Sequence, residues 1–234
     1  MDKKYDFKYF FVLLILLTGI IFRCLSFLLD NKKINVEDIS KFSVVEVKAV
    51  TESVGESFGS AVFVKDDGTL VTNAHVVTYK TAGETNVFDT ISIRFSTEND
   101  YRDVTLEKYD LEKDLAVLKL KNIDCKFKAL KIANSEKVKV NDEVYAIGNL
   151  NNVGISLTKG IISNKKINVK YNDLTREVIQ SDLTIAEGNS GGALLNTKGE
   201  LIGITTFRLK DISGNVIYGI CYSVPANTVV EYIK

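Results

Sequence analysis

The chain has 234 residues, 45% of them apolar, and no formal net charge because 30 lysines and arginines balance 30 aspartates and glutamates. This composition excludes a chain that is disordered throughout. The absence of a net positive charge makes a nucleic-acid partner unexpected. Three cysteines are too few for a disulfide framework. His75 is the single histidine, so any imidazole chemistry must use it, and a histidine-rich metal site is excluded. No phosphate-binding loop or dinucleotide fingerprint occurs, so no cofactor is predicted.

The first predicted element is an apolar segment at the N-terminus. After three lysines, residues 9–22 carry no charge, and past Arg23 the apolar character continues to residue 29. The stretch 9–29 is long enough to cross a bilayer as a helix, and the preceding lysines predict a cytoplasmic N-terminus. We therefore predict that residues 1–33 hold one hydrophobic helix, a single-pass anchor in the cell membrane, with residues 34–234 outside the cytoplasm. The alternatives are a cleaved signal peptide, which would give a secreted protein, and a soluble chain.

Residues 34–234 form one predicted domain made of many short strands. Runs rich in β-branched and aromatic residues alternate with turn signals, which favours a β-barrel or sandwich over a parallel α/β sheet. The predicted strands of the first half are 42–50, 58–65, 69–72, 90–96, 104–109 and 115–120, with 79–88 as a surface loop. Those of the second half are 143–148, 155–163, 166–171, 176–181, 193–196, 201–207 and 216–224. Only the end of the chain, from Pro225, has the spacing of a short helix.

A weak internal repeat links the two halves of this domain. Residues 58–72 are predicted as strand, Lys-Asp-Asp-Gly turn and strand, and residues 193–206 as strand, Asn-Thr-Lys-Gly turn and strand. Each pattern is typical of a hairpin whose glycine takes a positive φ. We therefore predict two similar β-barrels packed side by side, the first at about 40–125 and the second at about 135–225.

The most specific motif is Glu187-Gly188-Asn189-Ser190-Gly191-Gly192. Glycines on both sides of a serine let the backbone approach a substrate closely. They also leave the N–H groups of Gly188 and Ser190 free to converge on one point, as in an oxyanion hole. Taken alone, the motif is also compatible with a glycine-rich hairpin loop.

Two further motifs supply an imidazole and a carboxylate. His75 follows a buried-looking strand, and Asp114 opens the apolar strand 115–120. Alone, each is more simply a structural histidine or a turn aspartate. Together with Ser190 they satisfy the needs of acyl transfer, because serine requires a base and the base requires an acceptor that holds its tautomer. A cleft between the two barrels would bring the three residues together.

The sequences TNAH around His75, DLAVLKL from Asp114 and GNSGGALLN around Ser190 resemble the trypsin-like serine proteases, and most closely their bacterial HtrA/Deg branch. The resemblance extends from about Gly55 to Pro225. It implies an all-β fold of two six-stranded antiparallel barrels with a short C-terminal helix and the active site in the cleft between them.

The resemblance also implies a role for each site residue. Ser190 would be the nucleophile, His75 the general base and later acid, and Asp114 the residue that orients His75. Gly188 and Asn189, together with Ser190, would form the oxyanion hole. The family commonly has a PDZ domain after the protease, and the few residues beyond the protease region predict that this chain lacks one. An asparagine at position 189, where trypsin-type zymogens have an aspartate, predicts that cleavage at the N-terminus does not activate the protein.

Substrate binding is likewise implied by family position. Thr184 and Ile185 would line the primary pocket, and the strand Ile204, Thr205 and Thr206 would pair with the substrate backbone. No acidic residue stands at the pocket floor, so we expect a small or medium apolar side chain to be preferred over lysine or arginine. Binding by strand addition requires an extended or unfolded polypeptide.

The sequence therefore predicts a bacterial serine endopeptidase that acts outside the cytoplasm through an acyl-enzyme. Its partners would be the polypeptide substrate and the membrane, through residues 9–29, and it would need no metal. The oligomeric state is left open. One alternative is a catalytically silent binding or sensor module that keeps the protease fold. Another is a hydrolase of non-peptide esters.

Overall fold

The computed structural model describes residues 3–30, 34–171, 174–210 and 216–234, and it divides into two units, Met1–Ile34 and Asn35–Lys234. The first unit consists of helix α1 (Lys3–Asp30), so the predicted N-terminal helix is confirmed as a helix. Within the described ranges, no helix has both the length and the apolar character that a membrane span requires. The predicted anchor over residues 9–29 is therefore not supported by the structure.

The second unit is mostly β-structure. Its elements are, in chain order, α2 (Val36–Phe42), β1 (Val44–Thr51), β2 (Gly55–Phe63), β3 (Thr69–Thr72), α3 (Ala74–Val77), β4 (Thr78–Thr81), β5 (Glu84–Val87), β6 (Thr90–Arg94), β7 (Arg102–Asp110), β8 (Leu115–Leu120), β9 (Glu143–Asn149), β10 (Ile155–Tyr171), β11 (Leu174–Ser181), β12 (Ala193–Asn196), β13 (Leu201–Lys210), β14 (Val216–Pro225) and α4 (Ala226–Tyr232). Short 3₁₀ turns occupy Ser135–Lys137 and Leu150–Asn152.

Six strands of the first half close into an antiparallel barrel in the order β1-β2-β3-β8-β7-β6. Closure comes from β1, which pairs with β2 along one edge and with β6 along the other. Its interior is filled by apolar side chains, among them Val47, Phe63, Leu70, Ile93 and Leu118. Side chains alternate inward and outward along each strand, so several strands contribute residues to this interior.

Six strands of the second half also close into an antiparallel ring, in the order β10-β11-β14-β13-β12-β9. Val144, Ile162, Ile179, Leu194 and Ile202 are among the side chains that form its core. The prediction of an all-β fold with a barrel in the first half is thus confirmed, and the second half repeats the same strand arrangement. The predicted C-terminal helix is present as α4.

Two local predictions were wrong. The predicted surface loop 79–88 contains the hairpin β4–β5, since Ala82 and Gly83 take φ of 52° and 87° and make a tight two-residue turn. The two strands predicted over 155–171 are one strand, β10. Its pairing with β11 shifts register on both sides of Asn164, so the extra residues are absorbed as irregularities instead of ending the strand.

An ion pair between β1 and β6 with a buried carboxylate gives a prediction about the stability of the first barrel. Arg94 Nη2 lies 2.7 Å from Glu46 Oε2, and only 4% of the Glu46 side chain is exposed. Replacing Arg94 with leucine should lower the free energy of unfolding by about 1–3 kcal/mol, because the buried carboxylate loses the positive charge beside it. Replacing Lys41, which forms an exposed pair with Glu37, should change it by less than about 1 kcal/mol. Urea unfolding followed by circular dichroism measures both, and equal effects would contradict the prediction.

Candidate active site

His75 lies in the short helix α3, which follows the buried strand β3. The neighbouring side chains of Ala74, Val76 and Val77 are buried and anchor the helix to the first barrel. His75 points the other way, and 49% of its side chain is exposed. The imidazole is therefore held on a rigid element while one side of it remains open to a bound molecule.

Asp114 comes directly before β8 and is buried, with 4% of its side chain exposed. Its carboxylate oxygens lie 3.0 and 2.9 Å from Nδ1 of His75. The backbone N–H of His75 donates to Oδ1 at 3.1 Å, and the hydroxyl of Thr206 donates to Oδ2. Because a carboxylate can only accept, the proton of the neutral imidazole is assigned to Nδ1, which leaves the lone pair of Nε2 free to accept a proton.

The backbone of Asp114 is also fixed by its neighbours. Its φ is 54°, in the left-handed region, and Asn73 Nδ2 donates a hydrogen bond to its carbonyl oxygen at 2.8 Å. Asn73 is itself fully buried. In this conformation the carboxylate at the start of β8 meets His75 of α3.

The surroundings of Asp114 favour its ionised form. Burial alone would raise the pKa of this carboxyl, but the charge and hydrogen bond of His75 and the hydrogen bond of Thr206 outweigh burial and lower the pKa below its ordinary value. The carboxylate therefore stays charged at neutral pH and can stabilise a positive charge on the imidazole.

Ser190 lies in the loop between β11 and β12. Its hydroxyl donates a hydrogen bond to the carbonyl oxygen of Thr206 at 2.8 Å, and not to His75. Thr206 thus contacts both Ser190, through its carbonyl, and Asp114, through its hydroxyl. The three residues that the sequence motifs identified are brought to one place, with Thr206 between the serine and the carboxylate.

A tight turn precedes the serine. The N–H of Asn189 donates to the carbonyl of Ala186 at 3.2 Å, Gly188 has φ of +88°, and Glu187 has a negative φ. This combination defines a type II turn, whose third position needs a positive φ and therefore glycine. It sets the direction of the peptide between Glu187 and Gly188, and hence of the Gly188 N–H.

Neither the N–H of Gly188 nor that of Ser190 donates to any residue described by the structure. The Ser190 N–H and the Asn189 carbonyl belong to the same planar peptide unit, so bonds that hold the carbonyl also fix the direction of the N–H. The Asn189 carbonyl accepts hydrogen bonds from Thr205 Oγ1 at 2.5 Å and from the Gly192 N–H at 2.9 Å. Two backbone donors beside a serine hydroxyl can stabilise negative charge that develops on a carbonyl oxygen during attack.

The residues predicted to bind substrate have different surroundings. Thr184 is exposed, whereas Ile185 is 5% exposed and packs into the core of the second half. Ile204 and Thr205 are buried, and the Thr205 hydroxyl supports the serine loop. Thr206 is 2% exposed, and it contacts both Ser190 and Asp114 directly. Among these positions, Thr184 presents its side chain to solvent, and Thr206 has a role beside Asp114 that the sequence did not indicate.

Sequence reasoning also missed Ser60 and Asn73, which hold parts of the site from the first barrel. Both are polar residues in otherwise apolar stretches and both are fully buried. A small polar residue within an apolar run is the one sequence signal that could have marked them. Among the residues that the structure describes, no group of histidine, cysteine, aspartate or glutamate could hold a metal ion.

The comparisons with known proteins agree with this geometry. Residues 59–204, more than half of the chain, match the family described as trypsin-like peptidase domain. The chain is 38% identical over 177 residues to a probable serine protease do-like of Buchnera aphidicola, a match that covers 74% of this chain and 34% of that protein. It is 34% identical over 192 residues to the periplasmic pH-dependent serine endoprotease DegQ of Escherichia coli, covering 82% of this chain and 40% of that protein.

The chain therefore spans about a third of the length of the first of these relatives. Among solved structures, the HtrA-type protease AlgW with tripeptide superposes with a TM-score of 0.69 and 34% identity, covering 85% of this chain and 62% of that chain. These matches, together with the barrel fold and the serine loop, show that the chain belongs to the trypsin-like peptidase family, with Deg-type and HtrA-type proteases among its relatives.

Proposed function

We propose that the protein is a serine endopeptidase that works through a Ser190–His75–Asp114 triad. The observation that carries this proposal is the buried carboxylate of Asp114, which accepts hydrogen bonds from the His75 ring, the His75 backbone and Thr206 at once. Such a carboxylate fixes both the orientation and the tautomer of the imidazole, and Thr206 links it to the nucleophile. A structural histidine would need neither constraint.

In the proposed reaction, the Ser190 hydroxyl first turns from the Thr206 carbonyl to Nε2 of His75. His75 takes the proton as Oγ attacks the scissile carbonyl carbon, and the oxyanion is held by the N–H groups of Gly188 and Ser190. His75 then gives the proton to the departing amine, so the peptide C–N bond breaks and an acyl-enzyme remains. A water molecule attacks the ester with His75 as base, which releases the acid and restores Ser190.

The proposed substrate is an extended or unfolded polypeptide. The Thr206 carbonyl lies at the serine, where it accepts the hydrogen bond of the Ser190 hydroxyl. A substrate N–H could take this acceptor, which would pair the substrate backbone with β13 and release the hydroxyl toward His75. We also propose that the protein acts outside the cytoplasm, because relatives such as DegQ are named periplasmic.

Labelling with a fluorophosphonate probe tests this proposal. The full chain should form a covalent adduct, and both Ser190→Ala and His75→Ala should abolish it, since an unactivated serine reacts poorly. The exposed residue Ser163 provides a control, because Ser163→Ala should label like the wild type. Mass spectrometry of the adduct and cleavage of an unfolded protein substrate complete the measurement. A folded wild-type chain that neither labels nor cleaves would favour a silent binding module, and cleavage of esters alone would favour an esterase.

A further inference from the structure

Ser60 lies in β2 of the first barrel, and it has no exposed surface. Its backbone is fixed on both sides. Its carbonyl oxygen accepts the hydroxyl of Thr72 at 2.6 Å, and its N–H donates to the carbonyl of Ser190 at 2.8 Å. A residue of the first barrel therefore holds the backbone of the proposed nucleophile, which belongs to the second.

The hydroxyl of Ser60 reaches the same loop at a second point. It donates to the carbonyl oxygen of Gly188 at 2.8 Å and accepts from the N–H of Asn149 at 2.8 Å. The direction of both bonds is unambiguous, because a backbone N–H can only donate and a carbonyl can only accept. The hydrogen-bonding groups of one buried serine thus join β2 to β3, β9 and the serine loop.

The two carbonyls that Ser60 holds belong to Gly188 and Ser190, the two residues whose N–H groups form the proposed oxyanion hole. The peptide that follows Gly188 is fixed at both ends, by Ser60 at its carbonyl and by Ala186 at its N–H. Because a peptide unit is planar and includes the Cα atoms at its two ends, these two hydrogen bonds fix the position of the Gly188 Cα, to which the Gly188 N–H is attached. We propose that Ser60 is a positioning residue that keeps the oxyanion hole open, an inference that rests on the proposed function.

The surroundings leave little room for another way to hold the loop. A Cβ at Gly148 would lie 3.1 Å from Ser60 Oγ and 2.9 Å from Asn189 Oδ1, so the space around the hydroxyl is filled. Removing the hydroxyl would leave the Gly188 carbonyl and the Asn149 N–H unsatisfied in a buried site. The loop could relieve this cost by letting the Gly188 carbonyl turn away, which would disturb the hole.

The test compares Ser60→Ala with Ser43→Ala in the full chain. Ser43 is also buried in the first barrel, but its hydroxyl has no hydrogen-bond partner among the described residues. The structure predicts that Ser60→Ala lowers kcat for peptide hydrolysis about 10- to 100-fold with KM within about twofold, whereas Ser43→Ala leaves both unchanged. Ser60→Cys, which keeps a weak donor on a larger atom, should recover only part of the loss.

A spectroscopic readout separates positioning from general stability. A peptide chloromethyl ketone labelled with carbon-13 at its carbonyl forms an adduct whose chemical shift reports ionisation of the oxyanion. Ser60→Ala should raise the pH at which this oxyanion forms, and Ser43→Ala should not. Equal kcat and equal oxyanion titration in the two alanine variants would overturn the proposal. So would failure of both Ser60→Ala and Ser60→Cys to fold, since a structural role would then suffice. A wild type without activity would overturn the proposed function, and this inference with it.

Discussion

Replacing Asp114 with asparagine should lower kcat for peptide hydrolysis by about four orders of magnitude. An amide presents one oxygen and one NH₂ group where the carboxylate presents two acceptors. If the oxygen stays on the backbone N–H of His75, the NH₂ group faces Nδ1 and Thr206. It then donates to Nδ1, which forces the imidazole proton onto Nε2. A protonated Nε2 cannot accept the proton of Ser190, so the base is lost although the residue is still in place.

The Asp114→Asn variant should remain folded, which makes the effect on kcat interpretable. Asparagine adopts the left-handed region more readily than most residues, so φ of 54° at this position costs it little. The Thr206 hydroxyl can rotate to accept from the new NH₂ group. Asp110→Asn is a matched control at the end of β7, because the Asp110 carboxylate accepts from the backbone and the ammonium group of the exposed Lys113, and its kcat should stay within about twofold of the wild type. A loss smaller than tenfold in Asp114→Asn would contradict the proposed role.

The free energies of unfolding of the wild type and of Asp114→Asn should differ by an amount that depends on pH. Because the folded pKa of the Asp114 carboxyl is lowered, its ionised form stabilises the fold above the unfolded pKa of about 4. This contribution is lost as the pH falls through the folded value. The difference in free energy of unfolding between the wild type and Asp114→Asn should therefore shrink from pH 7 toward acid pH. Urea unfolding at several pH values measures it, and a difference that grows toward acid would contradict the sign.

The sequence identifies His75, Asp114 and Ser190 as candidates because each has a chemically reactive or charged side chain within a short motif. It does not identify the residues that support them. The hydroxyl of Ser60 meets the Gly188 carbonyl across 128 positions of the chain, and no local pattern encodes such a contact. Thr205 belongs to a strand that the family resemblance assigns to pairing with the substrate backbone, and its hydroxyl donates to the Asn189 carbonyl inside the protein. Which face of a strand meets a loop is decided by packing between strands.

The strands themselves show the same limit. Apolar alternation located most of both barrels, because a half-buried strand requires it. The sequence Asn-Lys at 164–165 separates the two strands predicted at 155–163 and 166–171. In the structure β10 continues past Asn164, because β11 runs alongside it and supplies hydrogen bonds on either side of the irregular pairing. The partner strand therefore outweighs the break that the sequence predicts.

Replacing Gly188 with alanine should lower kcat by at least about two to three orders of magnitude. A Cβ at this position would lie 2.0 Å from the carbonyl oxygen of Asn149 and 2.8 Å from Asn152 Oδ1. The first distance is far inside van der Waals contact and involves backbone, so the loop itself must move. The conformation available to alanine without a positive φ is a type I turn, which rotates the peptide between Glu187 and Gly188. The Gly188 N–H would then point away from the oxyanion.

Gly83→Ala provides the control that separates backbone strain from the steric contact. Gly83 has φ of +87°, almost the same as the +88° of Gly188, but a Cβ there would meet nothing within 4 Å. Gly83→Ala should lose about 1–2 kcal/mol of stability from the left-handed backbone and keep its activity, whereas Gly188→Ala, in which the loop must also move away from Asn149, should lose activity. Measuring kcat, KM and Tm for both settles the comparison. If Gly188→Ala kept kcat within tenfold of the wild type, the Gly188 N–H would not be a donor to the oxyanion, and Ser190 alone would have to supply the hole.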